Sequence, residues 1–298
     1  MNTPIEDKFD IEVNEKEVLS AINSIKQGVS QRLSDKEILK KCFSLIDLTT
    51  LNSTDSVERC ELLTRRVNEF PEHFSNIPNV AAICIYPSLV PAVKQTLTAK
   101  DVKIASVAAG FPASQTFINI KLSECQMCVD MGADELDVVI SLGYFLEGDY
   151  FTVFSELQQI KEVAEKAKVK VILETGALPT LSEIRLASFI AMEAEADFIK
   201  TSTGKIDVAA TPEAIYVMCC AVKDYYELTG RMVGIKPAGG ISTAADAILY
   251  YSIVETVLGD KWLNSKYLRF GASSLADKLL SDITGQKVLY FSAPRLEE

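Results

Sequence analysis

Short apolar runs rich in β-branched residues alternate along this chain with longer stretches whose apolar positions recur at helical spacing. Eight runs read as strands: residues 45–48, 80–86, 103–107, 135–140, 169–174, 197–201, 232–236 and 267–270. Helical patterns begin near Thr54 and after Ser88, Ser114, Tyr150, Thr180, Thr211, Thr243 and Ser273. Thr211-Pro212 is a clear helix start, because threonine caps the free amides and proline suits the first helical position. Parallel strands need crossover helices, and eight such units in roughly 240 residues predict an α/β protein, a closed (β/α)8 TIM barrel. An open doubly wound sheet would be favoured by a glycine-rich turn after the first strand, where Asp47-Leu48-Thr49-Thr50 stands instead.

Three segments follow from this reading: an N-terminal helical extension at residues 1–40, the barrel as catalytic domain at 41–285, and a tail at 286–298. Asn14 and Glu17 predict a capping box, with Val18, Leu19, Ile22 and Ile25 on one helical face. Ser34 and Glu37 predict the cap of a second short helix. The extension is expected to pack across the barrel bottom; an arm that binds a partner is the alternative use of its apolar face.

Composition narrows the function classes. The net charge of −11 and pI near 4.8 disfavour nucleic-acid and membrane partners. A small anionic substrate still fits, because a local cluster of donors overrides the global field. No apolar run is long enough to span a bilayer and the start, Met1-Asn2-Thr3-Pro4, lacks a signal pattern, so a cytoplasmic location is expected. The seven cysteines are scattered through apolar segments and read as small core residues, the pairs Cys125/Cys128 and Cys219/Cys220 included. His73, the one histidine, reads as a solvated loop residue, which leaves no material for a Ser-His-Asp triad or a multi-histidine metal site.

The candidate chemistry lies in polar residues that interrupt strands. Lys170, Lys200 and Lys236 each sit in an apolar run, and lysine is rarely buried without a partner. Desolvation lowers an ammonium's pKa, and a neutral amine can attack a carbonyl to form a Schiff base. Asp47 on the first strand, Asp137 on the fourth and Glu174 on the fifth, with Lys170, add carboxylates at the end of the barrel where active sites form. A purely structural ion-pair network is the competing reading. Gly204-Lys205, Gly239-Gly240 and Gly271-Ala272-Ser273-Ser274 follow the sixth, seventh and eighth strands, and such loops hold phosphate on backbone amides and hydroxyls. Thr201-Ser202-Thr203-Gly204-Lys205 is not a Walker A loop, since Ile206 stands where serine or threonine is needed.

Six blocks carry a resemblance: residues 47–52 (DLTTLN), 82–87 (AICIYP), 132–139 (GADELDVV), 198–205 (FIKTSTGK), 236–240 (KPAGG) and 269–274 (RFGASS). Together, over roughly residues 40–280, the chain resembles the 2-deoxyribose-5-phosphate aldolases, class I enzymes that act through a Schiff base. The resemblance implies reversible cleavage of 2-deoxy-D-ribose 5-phosphate to D-glyceraldehyde 3-phosphate and acetaldehyde, a place in deoxyribonucleotide catabolism, and no metal or cofactor. It implies that Lys200 forms the Schiff base, that Lys236 keeps it unprotonated, and that Asp137 moves protons with Lys170 close by. Asp47 would orient the lysines. Gly204, Lys205, Gly239, Gly240, Gly271, Ser273 and Ser274 would cradle the phosphate.

Two positions depart from the family pattern. Ser242 replaces an arginine of some relatives, which weakens the expected phosphate grip. The chain ends Arg295-Leu296-Glu297-Glu298 rather than in a terminal tyrosine, and Tyr290 is the nearest candidate for that residue's role. A Schiff-base aldolase for another sugar phosphate and a silent phosphosugar-binding barrel are the alternatives. The expected partner is a small sugar phosphate; oligomeric state is open, with a homodimer carried forward.

Overall fold

A computed structural model describes the chain at residue 5 and from residue 7 to residue 292. Eight parallel strands form one sheet: β1 (Ile46–Thr49), β2 (Ala82–Ile85), β3 (Lys103–Ala108), β4 (Glu135–Val139), β5 (Lys168–Ile172), β6 (Phe198–Lys200), β7 (Gly234–Lys236) and β8 (Phe270–Ala272). Neighbours follow chain order, and β1 pairs with β8. The last seam closes through the bridges Ile235–Leu268 and Ala238–Gly271 and the bond from Gly271 N to Pro237 O at 2.8 Å. The fold is a (β/α)8 TIM barrel. The predicted eighth strand lies three residues early: Tyr267 and Leu268 touch β7 only through isolated contacts, and the continuous ladder with β1 begins at Phe270.

Two helices precede the barrel, α1 (Glu15–Arg32) and α2 (Lys36–Phe43). The outer ring holds α3 (Val57–His73), α4 (Val90–Thr96), α5 (Ile118–Asp130), α6 (Leu142–Leu146), α7 (Tyr150–Val163), α8 (Leu181–Glu193), α9 (Pro212–Thr229), α10 (Ala244–Leu258) and α11 (Leu275–Thr284). Caps explain several starts. Thr180 and Thr243 form reciprocal capping boxes with Glu183 and Asp246, and Thr211 Oγ1 accepts the Ala214 amide at 3.1 Å ahead of Pro212.

Four local expectations change. The side chain of Asn14 accepts from Lys16 N and donates to Glu17 Oε1 at 2.7 Å, so the expected reciprocal box is a side-chain pair. Asp35, not Ser34, caps α2, because its carboxylate takes the Glu37 and Ile38 amides while Ser34 Oγ turns back to Gln31 O. Leu19 is exposed, whereas Val18 and Ile22 are buried. His73 ends a helix rather than sitting in a loop. Pro71 is tolerated inside α3 because the carbonyl its missing amide would have served, Val67 O, accepts from Asn79 Nδ2 at 2.7 Å.

The helix α1 lies against α9 and α10 in the outer ring, where a cap under the strands was expected. Arg32 ties it there, donating to Glu255 at 2.7 and 3.0 Å and to Ser252 at 2.7 Å. The barrel interior divides into two arcs. Ala82, Cys84, Ala105 and Val107 form a small apolar cluster on β2 and β3. The remaining strands fill the interior largely with charge.

Candidate active site

Strand periodicity sends alternate residues inward, and the register then decides which inward residues meet. Asp137 on β4 lies opposite Lys170 on β5, and Lys200 on β6 lies opposite Lys236 on β7. All are buried. Asp137 is the hub: Oδ1 accepts from Lys170 at 3.0 Å, and Oδ2 accepts from both Lys200 and Lys236 at 2.7 Å. Asp47 on β1 lies 2.5 Å from Lys236, 3.4 Å from Lys170 and 2.5 Å from Arg269.

Two members of this network escaped the sequence reading. Arg269 Nη2 pairs with Glu135 at 2.8 Å, and Glu135 pairs with Lys170 at 2.5 Å. The signal for Glu135 was available, because it stands two residues before Asp137 and so shares its face of the strand. Arg269 lies between Leu268 and Phe270, but its role depends on a contact across the barrel, to Glu135 on β4, that spacing does not show.

The network holds four basic side chains, Lys170, Lys200, Lys236 and Arg269, against three carboxylates, Asp47, Glu135 and Asp137. Charge balances when one lysine is neutral, and an unbalanced buried charge is costly. The environments select Lys200. Burial lowers its pKa; Asp137 opposes that, and the neighbouring Lys236 charge lowers it further, so the net direction is down. Burial also acts on Lys170, but Asp137, Glu135 and Asp47 outweigh it and its pKa rises. Lys236 likewise rises under Asp137 and Asp47. Burial alone would raise both aspartates; the lysines reverse this and hold Asp137 and Asp47 far below the usual carboxylate range.

Lys200 opens into a cavity of about 330 Å³ at the C-terminal ends of the strands. Its lining includes Gly204, Lys205, Gly239, Gly240, Gly271, Ser273 and Ser274. Two glycines are needed there for stated reasons. Gly239 has φ +77°, and a Cβ on it would stand 2.7 Å from Ala209 Cβ. A Cβ on Gly271 would stand 2.8 Å from Ala238 Cβ and 3.2 Å from Lys236 Cε, so this glycine leaves room for the lysine itself. Lys205 Nζ reaches across the mouth to donate to Leu51 O. Ser242 borders the same cavity.

Tyr290 is elsewhere. Its hydroxyl donates to Arg66 O at 2.8 Å, its ring packs on Phe70, Phe74 and Phe291, and burial pushes its pKa up to about 12. It is a packing residue of the outer ring. Residues 295–298 lie outside the described residues. Among the described residues no cluster of metal-ligating side chains occurs, and no helix is long and apolar enough to cross a membrane. All seven cysteines are free; Cys84 lies among the site lysines, and burial pushes its thiol pKa up.

With this geometry in place, the comparison with known proteins is direct. The family model of the DeoC/LacD family aldolases matches residues 42–258. The chain belongs to that family. This aldolase is thus a lyase, and the barrel that carries its lysines is the family's barrel. It is 37% identical to the human deoxyribose-phosphate aldolase over 303 residues, covering 95% of this chain and 94% of that one. It is 38% identical to the Bos taurus deoxyribose-phosphate aldolase over 271 residues, covering 86% and 85%. Among solved structures, the tetrameric deoxyribose phosphate aldolase from Aeropyrum pernix superposes with a TM-score of 0.66 at 27% identity, covering 86% of this chain and 96% of that one.

Proposed function

We propose that this aldolase reversibly cleaves 2-deoxy-D-ribose 5-phosphate to D-glyceraldehyde 3-phosphate and acetaldehyde, with Lys200 as the Schiff-base lysine. The observation that carries the proposal is the asymmetry among the three interior lysines Lys170, Lys200 and Lys236. Of these three, only Lys200 has its pKa lowered, and only Lys200 lines the cavity that the glycine and serine loops surround. The names of the human and bovine relatives support the substrate.

The chemistry follows from the contacts. Neutral Lys200 adds to the C1 aldehyde, and loss of water gives a cationic iminium. Asp137 Oδ2, 2.7 Å from Nζ, is the counter-ion of that cation. A base then takes the C3 hydroxyl proton while the C2–C3 bond breaks. Its electrons flow into the iminium to form an enamine, and C3 leaves as the aldehyde of D-glyceraldehyde 3-phosphate. Protonation of the enamine at C2 and hydrolysis release acetaldehyde and regenerate the amine. Asp137 is too acidic to hold a proton for long, so it acts as a relay through water and its lysines rather than as a resting base. Lys236 keeps Lys200 neutral, Lys170 is locked by its carboxylates, and Asp47 fixes Lys236 and Arg269. The loops at Gly204-Lys205, Gly239-Gly240 and Gly271–Ser274 hold the phosphate, and that remote binding orients the reacting carbon.

Borohydride trapping with acetaldehyde, followed by peptide mapping, tests the assignment. The expected adduct is on the peptide containing Lys200. No adduct, or one on Lys236, overturns it.

A further inference from the structure

Where β5 ends, the backbone turns left-handed at Glu174, with φ +53°, a conformation that costs a residue with a side chain. The turn delivers a buried carboxylate to the loop after β6. Glu174 accepts the Thr203 amide at 3.0 Å and the Thr203 hydroxyl at 2.5 Å. Thr203 Oγ1 in turn accepts from Lys205 N at 3.1 Å, and Lys205 Nζ donates to Leu51 O beyond β1. One carboxylate thus anchors a strap that runs from β5 through the β6 loop to the β1 loop across the cavity mouth. Among the described residues the carboxylate's hydrogen bonds go to Thr203 alone and none to the lysine network.

We propose that Glu174 is a positioning residue for the phosphate end of the substrate, acting through Thr203 on Gly204 and Lys205. This rests on the reading of those two residues as phosphate ligands. The physical reason is geometric. Gly204 has φ +75° and contributes no side chain, so the flexible turn needs an external clamp to keep its amides in one place. A carboxylate supplies two acceptors to two donors of one residue, and charge-assisted bonds of this kind are the strong ones. The strained backbone at Glu174 is the cost of bringing that group to the loop.

The test separates phosphate binding from amine chemistry. Glu174→Gln offers one carbonyl oxygen to two donors, and Thr203→Val removes the hydroxyl link from the other side. Each is expected to raise KM for 2-deoxyribose 5-phosphate roughly tenfold, with kcat within about threefold and weaker inhibition by inorganic phosphate. The rate of borohydride-trapped adduct formation with acetaldehyde, which carries no phosphate, is expected within about twofold of wild type. The double variant is expected to lose no more than either single one, since both break one link. Equal loss with acetaldehyde and with the phosphorylated substrate, or an unchanged KM, overturns the proposal. Should Glu174→Gln fail to fold, Thr203→Val and its phosphate inhibition decide alone. Absence of any adduct in the wild type sinks the aldolase mechanism instead, so the two failures are distinguishable.

Discussion

Lys200 and Lys121 are both buried lysines near the same end of the barrel, yet their surroundings prepare them for different work. Lys121, on α5, donates to Ser141 Oγ at 2.7 Å and to Glu156 at 2.9 Å, and Ser141 Oγ also donates to Glu156 at 2.5 Å. That is one cation with a carboxylate of its own. Lys200 shares Asp137 Oδ2, its one carboxylate partner among the described residues, with Lys236, inside a network that holds more basic groups than acidic ones. Burial is therefore not what makes a lysine a nucleophile. The deciding features are a second cation competing for the same anion and a cavity through which a carbonyl can arrive.

The comparison breaks first at Lys200 itself. Lys200→Met is expected to cut kcat/KM by about 10⁴ or more and abolish trapping, while Lys121→Met leaves trapping intact; steady-state rates and peptide mapping check both. Next is the competing cation. Lys236→Leu removes the positive neighbour and frees Asp137 Oδ2 for Lys200 alone, so the Lys200 pKa rises. Activity needs the neutral amine, so the acid limb of the pH–rate profile moves to higher pH and kcat/KM at neutral pH falls by about 10²–10³. An unchanged profile would remove Lys236 from the explanation.

Stability sharpens the contrast. Lys121→Met leaves Glu156 without its cation and is expected to cost roughly 3 kcal/mol by denaturant titration, with kcat within about twofold. Asp47 and Asp137 have lowered folded pKa values, so the stability they add is present above the unfolded value near 4 and is lost as pH falls through the folded values. Asp47→Asn is expected to flatten that acid loss, which thermal melts between neutral pH and about pH 2 would reveal. The smallest effect belongs to a site remote from both lysines: Thr211→Ala removes the cap of α9 and costs about 1 kcal/mol with no change in rate.

Most of the strand pattern was readable because a parallel strand buried on both faces leaves a continuous apolar run. Threonine caps at 180, 211 and 243 were readable because they act within one turn. The misreadings share a cause. Pro71 looked like a loop marker because the compensating donor, Asn79, sits outside its helix. Lys121 drew no attention because its partners come from 20 and 35 residues away, on other elements. Arg269 and Glu135 were passed over for the same reason, being 134 residues apart in the chain. Tyr290 was a candidate by position in the chain alone, and packing on Phe70 and Phe74 assigns it to the outer ring.

The order of residues by itself determined that eight strands alternate with helices and that lysines and aspartates occupy inward positions, since periodicity and capping act over a few residues. Closure of the barrel decided the rest. Only when β1, β4, β6 and β7 surround one axis do Asp47, Asp137, Lys200 and Lys236 come within contact of one another, and only then is Lys200 the amine left without an anion of its own. Electrostatic energy in a dry interior depends on distance and desolvation, and neither is a property of sequence spacing.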